Sequence, residues 1–300
     1  MADKQAAAQA AWRGVRGAGA VVTGAASGIG AALAEDLVRR GARVVMADID
    51  GARVQREAAR LGAVAALQVD VADPASVQAL CDQAWQLLDG VDLVFANAGV
   101  APGGPLLAAR CDTLQWVMAV NVGGAFNTVR SFAGRAIAQG ARTRICITGS
   151  ENSLAMQGAG MGLYVASKQA LLGLAQSLRA ELPPTIGLSL LCPGLVATEL
   201  HLSGRRAPGV TVDPQAEAFA GAVVGRGMPA AEVAARAVDG VERGDFLIVT
   251  HPISLRAAQA FHREVDAAFA AQAPWTDDAE RYDLSRLVAE VIAATAPPPA

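Results

Sequence analysis

An α/β fold, a doubly wound parallel sheet with helices on both faces, is predicted for this chain of 300 residues by three observations. Short, nearly unbroken apolar runs recur along it, as strands covered on both sides require. Longer segments with helical periodicity separate them, so β and α alternate. The first apolar run leads through a glycine-rich turn into the first of those helical segments. Right-handed crossovers leave few topologies for such a pattern, and the doubly wound sheet is the favoured one.

Seven runs carry the strand pattern: 20–23 (AVVT), 43–47 (RVVMA), 64–69 (VAALQV), 91–95 (VDLVF), 144–148 (RICIT), 186–191 (IGLSLL) and 245–250 (DFLIVT). Helix patterns cover 29–40, 51–61, 74–88, 112–138, 163–182 and 229–243. Residues 1–17 read as a flexible N-terminus and 18–250 as one domain. Residues 199–228 interrupt the alternation with Gly, Pro and weak periodicity; a long segment of that kind in an α/β domain reads as a substrate loop or lid. Residues 251–300 form a helical extension: Leu255, Ala258, Phe261, Val265 and Phe269 share one helical face, and Leu284, Leu287, Val288 and Ile292 another. These faces need cover, from the domain's own flank or a neighbouring subunit. The tail from Pro297 is expected to fray.

Composition narrows the function. Apolar residues make up 53% and charged ones 18%, which excludes a disordered chain. A net charge of −3 offers no footprint for nucleic acid or an anionic membrane. No uncharged stretch runs far without Pro or Gly, and no signal-type apolar core follows the first charges, so a cytoplasmic location is expected. Cys81, Cys111, Cys146 and Cys192 are widely spaced and read as buried free thiols of a reducing compartment. His201, His251 and His262 are scattered too, and no metal site is expected.

Residues 23–30 read TGAASGIG, between the first strand and the first helix. Such a turn lets backbone approach a pyrophosphate, and the helix start offers N–H groups and a positive dipole end. Gly24 makes the turn, Gly28 removes a side chain beneath the phosphates, and Gly30 lets helix and strand pack. Ser27 and Ile29 complete the cradle. Asp48, with Ile49 beside it, ends the second strand eighteen residues past Gly30. A carboxylate there accepts hydrogen bonds from ribose hydroxyls and repels a 2′-phosphate, which favours NAD over NADP; the plainer reading is a helix cap, a task Asp50 can also fill. Asp70 and Val71 end the third strand, and Asn97, Ala98 and Gly99 the fourth, at the edge where ligands of such sheets bind. Asp70 can meet the adenine amino group, and the Asn97–Gly99 turn the ribose.

Only two of the 25 basic residues are lysine, Lys4 and Lys168. Lys168 closes the stretch YVASK, one helical turn after Tyr164. A free phenol has a pKa near 10 and is a poor base at neutral pH. A nearby ammonium favours phenolate, and lysine's compact charge suits such a site better than arginine's planar fork. Tyr164 can then exchange a proton with a substrate oxygen.

TGAASGIG, NAG, Asn121, Ser150, YVASK and CPGLVATEL (192–200) follow one another at intervals that closely resemble the short-chain dehydrogenase/reductase family over about residues 18–250. The resemblance implies a seven-stranded Rossmann-type sheet and NAD(P)-dependent oxidation or reduction at CH–OH groups. It implies a tetrad in which Tyr164 is the acid/base, Lys168 lowers its pKa and holds the nicotinamide ribose, and Ser150 bonds the substrate oxygen. Asn121 would hold a water linking Lys168 to solvent. Pro193, Gly194 and Val196 would border the nicotinamide, and Thr198 would reach its carboxamide. Ser150 lies one residue further from Tyr164 than is common in that family, and Glu151 is an unusual neighbour. Met156, Met161, Leu163, Leu195, Leu200 and Leu202 are candidates for an apolar substrate pocket or for core. The expected activity is NAD-dependent interconversion of a secondary alcohol and a ketone by a homo-oligomer, a tetramer or dimer. An NADPH-dependent carbonyl reductase and a non-catalytic NAD-binding scaffold or sensor are the alternatives.

Overall fold

Seven parallel strands form one sheet in the computed structural model, which describes residues 14–276 and 278–295. The strands are β1 (Gly19–Thr23), β2 (Arg43–Asp48), β3 (Ala65–Gln68), β4 (Leu93–Ala96), β5 (Thr143–Thr148), β6 (Ile186–Cys192) and β7 (Leu247–Val249). Their spatial order is β3-β2-β1-β4-β5-β6-β7. The chain winds outward from β1 to β3, returns, and winds outward again from β4. Strands β1 and β4 pair in register from Ala20 opposite Leu93, so their carboxyl ends flank the point where winding direction reverses. That is where crevices open in sheets of this kind.

Helices α1 (Gly28–Arg39), α2 (Gly51–Leu61) and α3 (Pro74–Leu88) follow the first three strands. Next come α4 (Cys111–Met118), α5 (Gly124–Ala138), α6 (Gly162–Glu181), α7 (Pro214–Val224) and α8 (Ala230–Arg243). The alternation of side chains along each strand sorts the core into two layers. On one face Val21 and Val94 meet Leu80 of α3, Phe132 of α5 and Leu171 of α6. On the other, Ala20 and Val22 meet Leu33 and Leu37 of α1, Val54 of α2 and Val238 of α8. Cys81, Cys146 and Cys192 are buried free thiols, but Cys111 stands exposed, contrary to expectation, because the first residue of α4 faces away from the core.

Two further expectations are corrected. The helix expected over 112–138 is broken by a π-helical turn, Ala119–Gly123, with Asn121 in it. Nothing in the local sequence forbids a regular helix there. The widened turn accompanies long-range bonds of Asn121, and π-bulges are common where a helix must aim a group. The expected loop at 199–228 contains a short 3₁₀ segment, Leu200–Arg206, and α7. The Asp213 carboxylate caps α7 through Gln215 N–H, and Pro214 starts it. It buries none of its residues, so no apolar stripe was selected to announce it. Val196–Ala197 pairs with Met228–Pro229 and closes the base of this segment.

The chain divides into two compact units at Ser254 and Leu255. The second holds helices α9 (Leu255–Gln272) and α10 (Leu284–Thr295), where helices were expected. Most of the N-terminus expected to be flexible (residues 1–13) and the tail from Pro297 lie outside the described residues. Among the described residues no helix is long and apolar enough to cross a membrane.

One side chain stitches the carboxyl edge together. Asn97 donates from Nδ2 to Thr23 O at 3.1 Å and accepts at Oδ1 from Thr148 Oγ1 at 3.1 Å, joining β4 to β1 and β5. Asn97→Leu leaves those polar groups without partners and is expected to cost about 1–3 kcal/mol of unfolding free energy, read from urea denaturation.

Candidate active site

The glycine turn is shaped as a cradle. Gly28 sits at φ +54°, and a Cβ there would stand 3.1 Å from Thr198. A Cβ on Gly30 would lie 2.0 Å from Gly24 O and 2.7 Å from Asn97 Nδ2, so α1 can begin this close to the strand ends only on glycine. Ser27 is the N-cap of α1, yet its side chain makes no capping bond. The first N–H groups of the helix therefore remain available to an anion. These features fit the pyrophosphate of a dinucleotide.

Asp48 Oδ2 accepts Ala26 N–H at 3.0 Å and Oδ1 accepts Asp50 N–H at 3.0 Å. The carboxylate is thus held by backbone at the tip of β2 beside the glycine turn. The capping task falls to Asp50, which accepts Arg53 N–H at 2.9 Å and starts α2. Ile49 is 48% exposed at the same tip, a large apolar surface open to a planar base. Asp70 turns its carboxylate back on Ala72 N–H at 2.9 Å. Val71 is buried, and its carbonyl accepts Asn127 Nδ2 at 3.0 Å. Ala98 lies directly against Gly24, where an added Cβ would fall 2.7 Å from its Cα.

The second cluster lies at the ends of β5 and α6. Ser150 is buried and caps a short 3₁₀ turn, Glu151–Ser153, with its Oγ accepting Asn152 N–H at 3.2 Å. Ser153 Oγ donates to Lys168 O at 2.6 Å and so ties the turn to α6. Burial raises the Tyr164 pKa, the nearby Glu151 carboxylate adds to it, and together they outweigh a hydrogen bond with Ser150 that favours the phenolate. Lys168 is buried, donates from Nζ to Thr148 O at 2.8 Å, and lies 5.6 Å from the centre of the Tyr164 ring. Burial pushes its amine down to about 8, against a small opposing effect of Cys192.

The expected lowering of the Tyr164 pKa is therefore not met in the protein alone. Both groups are desolvated, the charged form of each is disfavoured, and Lys168 spends its short bond on a backbone carbonyl. The fourth member of the expected tetrad is tied to the β4–α4 loop and to α6. Asn121 Oδ1 accepts Val100 N–H at 2.8 Å, while Nδ2 donates to Val100 O and Ser167 Oγ, each at 2.9 Å. Its amide locks the β4–α4 loop and does not bond Lys168. Gly99 lies between them: a Cβ there would be 3.3 Å from Asn121 Oδ1 and 3.7 Å from Lys168 Nζ.

An apolar rim surrounds this cluster. Met156, Leu195 and Leu200 are exposed, and Met161, Leu163 and Leu202 are half-buried, so none of the six belongs to the core. Leu106 and Leu107 add exposed apolar surface that sequence reading missed, because nothing local marks the long β4–α4 loop as a wall. Gly104 N–H bonds Gly160 O at 2.8 Å, drawing that loop to the segment before α6. Ala101 N–H bonds Ser203 Oγ at 2.8 Å, bringing the 3₁₀ segment after Thr198 to the same place. Glu151 N–H bonds Pro193 O at 2.7 Å, tying the end of β6 to the turn after β5. The Glu151 carboxylate accepts a hydrogen bond from Ser254 Oγ.

The sheet order, the glycine cradle and the Ser150–Tyr164–Lys168 grouping define an oxidoreductase built for a nicotinamide dinucleotide. The family profile described as short chain dehydrogenase matches residues 18–208, and the chain belongs to that family. It is 41% identical over 213 residues to a 1-deoxy-11-beta-hydroxypentalenate dehydrogenase of Streptomyces exfoliatus, covering 68% of this chain and 77% of the relative. It is 33% identical over 195 residues to a galactitol 2-dehydrogenase (L-tagatose-forming) of Cereibacter sphaeroides, covering 64% and 76%. Among solved structures, a short chain dehydrogenase/reductase from Burkholderia phymatum in complex with NAD superposes with a TM-score of 0.81 at 32% identity, covering 88% of this chain and all of that one. This protein is thus an NAD(P)-dependent dehydrogenase or reductase acting on CH–OH groups of a small molecule.

The buried amine has a measurable signature. With Lys168 at about 8 in the fold and 10.5 in the unfolded chain, the unfolded state binds more protons between those pH values. Stability contributed by this residue therefore rises with pH across that window. Lys168→Met removes the rise. The difference in unfolding free energy between wild type and variant, from urea titrations, is expected to be level below pH 8 and to grow in favour of wild type up to pH 10.5.

Proposed function

We propose that this protein oxidises a secondary alcohol on an apolar carbon skeleton to the ketone, with NAD as cofactor. The observation that carries this reading is the Ser150–Tyr164–Lys168 grouping beside a dinucleotide cradle that ends on Asp48. Bound NAD would supply the hydride acceptor and bring a positive ring to the site.

Ser150 Oγ, which accepts Asn152 N–H and shares a hydrogen bond with Tyr164, turns its proton to the substrate oxygen when the alcohol binds. Tyr164 Oη takes the hydroxyl proton of the alcohol as oxidation proceeds, or returns it in the reverse direction. Its raised pKa keeps the phenol protonated in the protein alone. To act as a base it needs positive charge close by, from the Lys168 ammonium and the cofactor. Lys168 holds its amine at the carboxyl edge, in reach of a ribose, through Thr148 O. Asn121, with its amide on Val100 and Ser167, keeps the β4–α4 loop and α6 at a fixed separation.

Asp48 supports NAD over NADP, because a 2′-phosphate would meet a carboxylate already pinned by Ala26 and Asp50. The adenosine half would rest on Ile49, with Asp70 and Val71 at its edge. The nicotinamide half would lie along Pro193, Gly194, Val196 and Thr198. The substrate rim favours hydrocarbon over polyol: Leu106, Met156, Leu195 and Leu200 all expose apolar surface there. Of the two relatives, the Streptomyces enzyme, named for a hydroxylated carboxylic acid, is the better guide to substrate class.

Tyr164→Phe keeps the ring and removes the proton carrier. Turnover with an alicyclic secondary alcohol and NAD is expected to fall by about 10²–10⁴-fold while calorimetric NAD affinity stays within about twofold. Equal turnover in the variant, or tighter binding of NADP than of NAD by the wild type, would overturn the proposal.

A further inference from the structure

One histidine grips the turn that this reading assigns to the nicotinamide. Beyond β6 the chain reverses through Pro193, Gly194 and Leu195. Gly194 N–H donates to His251 Nδ1 at 2.9 Å, and His251 Nε2 meets Leu195 O at 3.0 Å. A backbone amide can only donate and a backbone carbonyl can only accept. Nδ1 therefore carries the lone pair and Nε2 carries the proton, and the ring is the neutral Nε2–H tautomer. A cationic ring would present a second N–H to the Gly194 amide. Thr250 Oγ1, 2.7 Å from Nδ1, steadies the ring from its own strand end.

The turn is shaped to admit the ring. A Cβ on Gly194 would stand 2.6 Å from His251 Cγ and 2.9 Å from Glu151 Oε2. The imidazole and the Glu151 carboxylate both pack where a side chain would otherwise be. Glu151 is itself fixed, with its N–H on Pro193 O at 2.7 Å and its carboxylate on Ser254 Oγ. Consecutive residues of the turn are thus held by groups from two other strand ends, Glu151 after β5 and His251 after β7.

We propose that His251 is a positioning residue for the nicotinamide half of the cofactor site, bridging Gly194 and Leu195 with the two nitrogens of a neutral imidazole. This rests on the reading that the turn borders nicotinamide. His251 touches neither substrate nor cradle; it acts through the backbone it holds. Without it the turn keeps Glu151 on Pro193 and Met228 N–H on Leu195 O at 2.9 Å, but the Gly194 amide loses its partner. Sequence reading set His251 aside as one scattered histidine among three. Its place just past the carboxyl end of the last strand, on the ligand-binding edge, was the available signal.

The test compares NADH with ADP-ribose, which carries the same adenosine and pyrophosphate but no nicotinamide. Both are titrated calorimetrically into the full-length wild type, His251→Ala, His251→Phe and His251→Asn. Removing both bonds is expected to weaken NADH binding about tenfold in His251→Ala and His251→Phe. ADP-ribose should stay within about twofold in both, which also reports an intact fold. Asparagine offers an amide oxygen to Gly194 N–H and should recover NADH binding to within about threefold of wild type. Unchanged NADH affinity in the alanine and phenylalanine variants would overturn the proposal. So would parallel loss of both ligands in all three variants, which would place His251 in the general fold. Should the wild type bind NADH no more tightly than ADP-ribose, the assignment of the turn to nicotinamide falls first, and this proposal with it.

Discussion

A buried amine at the carboxyl edge of the sheet sets the terms for what surrounds it. Lys168 cannot be taken out of water without an acceptor, and the acceptor it finds is the last carbonyl of β5, Thr148 O, at 2.8 Å. That bond fixes the rotation of α6 against the sheet and, with it, the direction in which Tyr164 stands. Ser153 then ties the Lys168 carbonyl to the turn after Ser150, so the acid/base candidate and its hydroxyl partner are positioned from one helix. Burial acts on both ionisable groups in the same sense, against charge, which leaves a neutral phenol beside an amine that gives up its proton more easily than usual. The pair is set up to respond to a charge brought in from outside.

The crevice depends equally on atoms that are missing. At Gly30 a Cβ would collide with the Gly24 carbonyl, and at Gly194 an imidazole occupies the room a side chain would need. Between them, Asn97 binds β1, β4 and β5 at one level, and Asn121 widens its own helix while its amide stays on Val100 and Ser167. Each is a polar side chain spent on backbone at the sheet edge, where strands end and their last amides and carbonyls would otherwise lack partners. The site is therefore stiffest at its floor. Helix α7, by contrast, buries none of its residues.

The strands, the helices and their alternation were legible because burial on both faces demands unbroken apolar runs and amphipathic helices between them. The glycine turn was legible because φ +54° at Gly28 favours glycine and a Cβ on Gly30 would lie 2.0 Å from Gly24 O. Asp48 and Asp50 could each have capped α2 on sequence grounds, and only the hydrogen bonds assign the cap to Asp50. The π turn, α7 and the role of Glu151 left no local trace. Asn121 bonds a residue 21 positions away, Glu151 one 103 positions away, and α7 has no buried face to impose a period. The lowered Tyr164 pKa was a pairwise expectation; in the protein alone desolvation, which belongs to the whole surroundings of a group and not to its nearest charge, acts against it.

By itself the sequence determined the class: a doubly wound sheet, a dinucleotide turn, a carboxylate at the tip of β2 and a tyrosine one helical turn from a solitary lysine. Each is written in residues close together in the chain, so local spacing is enough to read it. Only the tertiary structure decided how those pieces are held. It placed Lys168 on Thr148 O, turned Asn121 to Val100 and Ser167, and set His251 against Gly194. Those contacts join residues that folding alone makes neighbours, and the strength of each depends on how much water the rest of the fold has removed.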